Sequence, residues 1–289
     1  MLIDLKNNYY EAIKMLTGLK DDELGRIFKF SNKNLSYDLD IDEVQVQEIL
    51  KNRDALDILL NSDILGYHYT TADFEELNKY GLQNLRGVLN RDSELKLFLK
   101  ENGIVIELDE QYIQCGTERL VFSGECSNTN EGVLVNRFSD DYKICIFASE
   151  EEEGIYRYNR RISEAPEIIS TIERVWSEKC IGLVERWKND DKHELKRITV
   201  KIPVKETNLI NTPEDTLDKL LHIALDNYRK CNMNSQVIAE INRDVIGREE
   251  IEDIVSFSSL EDEEKKKNYE LSRNYIKARE ELLGIDGEE

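Results

Sequence analysis

The sequence lacks most of the features that announce a function. Only three of its 289 residues are histidine, and its five cysteines, at positions 115, 126, 145, 180 and 231, are odd in number and widely spaced. They form no C-x-x-C pair, so neither a disulfide framework nor a zinc site is suggested, and a reducing, cytoplasmic setting is expected. No window is apolar enough to span a bilayer, and Met1-Leu2-Ile3-Asp4-Leu5-Lys6 has no signal-peptide run, so a chain neither exported nor anchored is expected. Positive charge is scarce as well. Thirty-nine basic residues face 60 acidic ones, a net charge of -21, which argues against general affinity for nucleic acid or an anionic membrane surface. Solubility, or a basic partner, fits that balance. No internal repeat or low-complexity block is present.

What is there reads as an α+β protein: a small split antiparallel or mixed β-sheet core, preceded by a helical segment and followed by a C-terminal helix. Residues 1–62 form the helical segment, with Leu2, Leu5, Tyr9, Ile13 and Leu16, then Val46, Ile49, Leu50, Leu56, Leu59 and Leu60, at helical spacing. Asn32 to Asp40 reads as a loop between them. Residues 63–257 form the main domain, and 258–289 an amphipathic helix with an acidic tail. Within the main domain, helices are expected from Thr70 or Thr71 to Gly81, from Ser93 to Gly103, from Ser163 through Trp176, and from Thr212 through Tyr228. Phe74 and Leu77 are expected to face inward. Strands are expected at Ile104–Leu108, Leu120–Phe122, Val133–Val135, Ile144–Phe147, Arg197–Val204 and Gln236–Ile241. Ile246, Ile251, Ile254, Val255 and Phe257 complete the expected core. Ser258 and Glu261 make a capping box before the last helix.

One stretch stands apart. Ile64-Leu65-Gly66-Tyr67-His68-Tyr69-Thr70-Thr71 reads as a short strand that ends in His-x-Thr and runs directly into an acidic-capped helix closed by Gly81-Leu82. This sets an imidazole and hydroxyls at a strand end, where sites are often built. His193, in a charged loop, and His222, beside a helix's apolar face, read instead as structural or solvent-facing.

The His68-Tyr69-Thr70 strand, the helix behind it and the closing Gly81-Leu82 resemble the first dinucleotide-binding motif of the ADP-ribosyltransferase superfamily. The match is to its histidine-bearing branch, which includes diphtheria-toxin-like enzymes, poly-ADP-ribose polymerases and bacterial toxin and phage-defence families. The resemblance implies NAD as substrate, an ADP-ribose acceptor that is a protein or nucleic acid, no required metal, and His68 and Thr70 as dinucleotide-binding residues. It also implies a stacking aromatic, for which Phe147, Tyr156 and Tyr158 are the candidates, and a catalytic carboxylate on a late strand. Glu240 in Ala239-Glu240-Ile241 fills that place, with Gln236 the alternative. Where some branches carry a second polar residue two positions earlier, this chain has Ile238. Such residues suit the chemistry, because cleaving the nicotinamide–ribose bond builds positive charge that a carboxylate stabilises, while an aromatic face holds the leaving ring. Arg86, Arg157, Arg160 and Arg161 could hold the pyrophosphate.

Two other readings compete. Glu194-Leu195-Lys196 beside a strand matches the Glu-x-Lys step of some nucleases. The charge of -21 fits a non-enzymatic acidic interaction or inhibitor protein that mimics nucleic-acid charge and binds a basic partner.

Overall fold

The structure, a computed structural model, describes residues 1–4, 9–23, 55–122, 129–139, 142–148, 162, 164–208 and 238–256. The chain enters through β1 (Leu2–Ile3), α1 (Tyr9–Thr17) and α2 (Ala55–Leu60), then forms the eight-residue strand β2 (Asp63–Thr70). After β2 come α3 (Phe74–Tyr80), β3 (Leu82–Gln83), α4 (Leu85–Leu89) and α5 (Glu94–Glu101). A three-stranded meander, β4 (Ile104–Glu107), β5 (Tyr112–Cys115) and β6 (Glu118–Val121), leads to α6 (Asn130–Ser139) and β7 (Cys145–Phe147). The remaining described elements are α7 (Glu167–Val175), α8 (Leu183–Lys188), β8 (Lys196–Pro203), β9 (Ile238–Glu240), β10 (Val245–Ile246) and β11 (Ile251–Ser256). The fold is α+β with split sheets, as the sequence predicts.

The main sheet runs β11-β8-β2-β7-β9, with β1 joining parallel to the start of β2 through Leu2↔Asp63 and Ile3↔Ile64. Strand alternation divides β2 cleanly. Ile64, Gly66, His68 and Thr70 share a face with Ile198, Val200 and Ile202 of the paired β8. Tyr67 and Tyr69 take the opposite face, where they cluster with Phe147, Ile162 and Leu195. The first face carries one core, to which the N-terminal segment contributes Ile3, Ala12, Ile13, Leu16 and Leu59. A second core joins the meander to α5–α8 through Leu99, Ile113, Phe138, Ile169 and Trp187. Cys115, Cys145 and Cys180 are free thiols; the Sγ atoms of Cys115 and Cys180 lie 3.5 Å apart in the second core.

Several local expectations shift. Val133-Leu134-Val135 is not a strand but the middle of α6. Gly132, Leu134, Val135 and Phe138 form the buried face of that helix, and Thr129 Oγ1 accepts a hydrogen bond from the Gly132 amide at its start. The β-branched pair suggested extended chain, but burial at helical spacing outweighs so weak a propensity. The helix after β2 is capped by Asp73, whose Oδ1 accepts from the Glu75 amide at 2.6 Å, rather than by either threonine. Phe74 does not face inward: it is 50% exposed, while Leu77 is buried. The Ser163 helix begins only at Glu167, with Pro166 as its cap. Strand β5 was not foreseen. The expected helix at 212–228, Gln236, Phe257, and the capping box and helix beyond residue 257 lie outside the described residues, as do Asn32–Asp40 and His222.

Candidate functional site

The site forms where the sheet opens. Strands β2 and β7 are registered through a single pair, Tyr67↔Phe147, after which they part. His68 enters the gap: its Nδ1 lies 2.8 Å from the Cys145 carbonyl oxygen. A carbonyl can only accept, so the proton sits on Nδ1 and Nε2 keeps its lone pair. Burial pushes the His68 pKa down, opposed by the Cys145 hydrogen bond, so the ring is held neutral. Behind it Thr70 Oγ1 accepts from the Ala72 amide at 3.1 Å, which turns the chain toward α3.

The gap opens into a cavity of about 440 Å³ between the end of β2 and the helices α3–α7, within the range of small-molecule sites. His68, Thr70 and Phe147 all line it. Phe147 is buried and set edge-to-face against Tyr69, with ring centroids 6.1 Å apart. Three cations unforeseen from the sequence, Arg91, Arg137 and Lys143, also line it, each beside an acid. Arg91 Nη1 is 2.8 Å from Glu76 Oε1, and its guanidinium lies 3.9 Å from the Tyr80 ring centroid. Burial pushes the Glu76 carboxyl up, but hydrogen bonds from Arg91 and the Glu94 amide outweigh it, and the group sits below its ordinary value. Arg137 Nη2 lies 3.0 Å from Glu167 Oε2.

Glu240 is not in the cavity wall. It is opposite Cys145 in the β7·β9 ladder and reaches the cavity through Lys143, whose Nζ is 2.8 Å from Glu240 Oε2. The hydrogen bond and charge of Glu240 raise the Lys143 pKa. Thus the sheet order β2-β7-β9 sets the strands of His68, Phe147 and Glu240 side by side; His68 and Phe147 are among the residues that line the cavity, with most of the Phe147 ring packed on the Tyr67–Tyr69 face of the sheet. Tyr156, Tyr158, Arg157, Arg160 and Arg161 lie outside the described residues. Arg86 is not a cavity cation: its Nε and Nη2 donate to the Phe138 carbonyl at 3.1 and 2.6 Å, and its guanidinium lies over Tyr142.

Gly81 and Leu82 close the cavity from the α3 side. Gly81, at φ 71° and ψ -169°, lies against the Ile246 carbonyl, where β3 pairs with β10 through Ile246↔Leu82. Asn84 fixes the next turn by accepting from the Gly87 amide at 2.8 Å and donating to Asp244 Oδ1 at 2.7 Å. At the far wall the Trp187 indole N–H donates to Thr71 Oγ1 at 3.1 Å.

The two remaining candidates are buried. Lys196 of the Glu-x-Lys step is buried, and its Nζ donates to the carbonyls of Lys192 and Glu194, both at 2.9 Å. Of the two expectations for His193, structural or solvent-facing, the structure shows a buried ring whose Nδ1 donates to the Trp187 carbonyl. The cavity cations arise from α4–α5, α6 and the approach to β7, segments whose approach has no signature in the sequence. Among the described residues no helix is long and apolar enough to cross a membrane. No protein-family profile, curated protein or solved structure matches the chain.

Proposed function

We propose that the cavity at the β2–β7 split binds NAD as a substrate, and that the protein transfers ADP-ribose to a macromolecular acceptor in the manner of the histidine-bearing ADP-ribosyltransferases. The observation that carries this reading is the convergence of His68, Thr70 and Phe147 on one cavity, with the imidazole tautomer fixed by the Cys145 carbonyl. A neutral ring with Nε2 as acceptor suits a ribose hydroxyl donor. Phe147 offers an aromatic wall for nicotinamide, and Lys143 and Arg91 supply charge for the pyrophosphate.

In this reading Glu240 stabilises the positive charge that develops on the ribose as nicotinamide leaves. Its ion pair with Lys143 gives a route to that role. A dinucleotide phosphate that takes over Lys143 releases the Glu240 carboxylate, so the catalytic group becomes available only when substrate is present. A toxin or phage-defence effector would follow from the same resemblance, and the net charge of -21 favours a basic acceptor surface over a nucleic-acid one. A cleft of this size lined by His68 and Thr70 favours this reading over a non-enzymatic charge mimic, which needs no such cleft.

Calorimetric titration with NAD and chromatographic detection of released nicotinamide test the proposal. The wild type should bind saturably. His68→Ala should weaken binding at least tenfold with an unchanged circular dichroism spectrum, whereas Glu240→Gln should retain binding and lose about 10²-fold or more in nicotinamide release. Absence of NAD binding by the wild type ends the reading.

A further inference from the structure

On the side of α5 facing the turn before β8, Glu94, Asp190 and His193 bring one ligand atom each within 4.8 Å of one another. This cluster adjoins the cavity, since Glu94 and Trp187 belong to its wall, but plays no part in the chemistry proposed above. His193 is 6% exposed and stacked flat on Trp187, with ring centroids 3.5 Å apart and planes 1° from parallel. Its Nδ1 lies 2.7 Å from the Trp187 carbonyl oxygen. As at His68, the carbonyl assigns the proton to Nδ1.

The other face of the ring is the anomaly. Nε2 of His193 is buried without a hydrogen-bond partner and lies 3.3 Å from Glu94 Oε1; Glu94 Oε2 is likewise buried and unpartnered. In a neutral ring Nε2 is an acceptor, and a carboxylate oxygen is an acceptor too. Two acceptors held this close repel unless a cation lies between them or the ring is protonated. An imidazole whose other nitrogen donates to a backbone carbonyl is the arrangement that holds a metal-binding histidine in its ligating tautomer. The separation of 3.3 Å also fits two corners of a tetrahedron around an ion with bonds of about 2.0–2.1 Å.

We propose that Glu94, Asp190 and His193 form a binding site for a divalent ion of the zinc type. The imidazole donor disfavours calcium and magnesium, which take oxygen ligands. Three protein ligands leave a fourth position for water. Lys192 stands in the ion's way: its Nζ is 3.5 Å from Glu94 Oε1 and 3.8 Å from Asp190 Oδ2. Its side chain is 59% exposed, so in this proposal the ammonium is the counter-ion that the metal displaces into solvent. A bound ion would tie the turn carrying His193 to α5, and through the Trp187–Thr71 hydrogen bond would brace the end of β2.

The test is calorimetric titration of the full chain, stripped with a chelator, with zinc chloride, together with visible absorption of the cobalt(II) form. One saturable zinc site and the intense cobalt bands of tetrahedral coordination are expected. His193→Gln and Asp190→Asn should each weaken zinc at least tenfold, and Lys192→Ala should tighten it. Asp190 is 44% exposed, so its variant reports on the site even if His193→Gln fails to fold. A His68→Ala, Cys115→Ser variant should bind zinc as the wild type does, which excludes binding at those side chains. No saturable zinc binding by the wild type overturns the proposal, as does zinc affinity unchanged by Asp190→Asn and Lys192→Ala. Metal alone is the probe, so the outcome does not depend on whether NAD binds.

Discussion

Replacing Gly81 by alanine probes the closure of the cavity most directly. Gly81 occupies a backbone region, φ 71° and ψ -169°, that is essentially restricted to glycine, and a side chain there costs about 1–3 kcal/mol. A Cβ would also collide with the Ile246 carbonyl oxygen and approach Gly247 Cα to 3.3 Å. The obstacle is backbone, held by the Val245↔Gln83 and Ile246↔Leu82 pairs, so it cannot rotate aside as a side chain would. Overpacking of this kind adds about 1–3 kcal/mol. The total expected for Gly81→Ala is about 2–6 kcal/mol. Gly103 is the control: its φ is 75°, but a Cβ there meets nothing within 4 Å. Gly103→Ala should therefore cost only the backbone penalty, about 1–2 kcal/mol. Urea unfolding followed by the fluorescence of buried Trp176 and Trp187 measures both. A Gly81→Ala cost within about 0.5 kcal/mol of the Gly103→Ala cost would refute the close-approach argument.

Two further outcomes follow from the site's hydrogen bonds. The folded-state pKa of His68 lies below its ordinary 6.5, so the neutral ring's contribution to stability is present above that value and fades as pH falls through the folded pKa. The limiting slope is about 1.4 kcal/mol per pH unit. His68→Gln should flatten this acid limb in stability measurements from pH 7 to 4, and superimposable profiles for the two proteins would refute the assignment. Trp187→Phe removes the indole donor to buried Thr71 Oγ1 and should cost about 1–3 kcal/mol in urea unfolding; a neutral result would show that this bond does not brace the end of β2.

The clearest sequence signals were those set by local chemistry. Ser93 caps α5 by accepting from the Lys96 amide at 3.1 Å, and Gly81 and Gly103 end helices with positive φ, because caps and stops involve atoms only a few residues apart. Alternation in Arg197–Val204 gave β8, and Pro203 stands at its end. The error at Val133–Val135 has the same origin in reverse. Three β-prone residues carry little preference of their own, and the burial of Leu134 and Phe138 that makes them helical depends on packing against distant chain.

The sequence alone determined that His68 and Thr70 stand on one face of a strand end, with a helix immediately behind them, because the two-residue period and the cap are local properties. Only the tertiary structure decided what those side chains meet. The parting of β2 from β7 after one pair, the three cavity cations, the Lys143–Glu240 ion pair and the approach of His193 to Glu94 all join residues far apart in the chain. Such contacts are fixed by how the sheet and helices pack as a whole, and no short-range pattern encodes them.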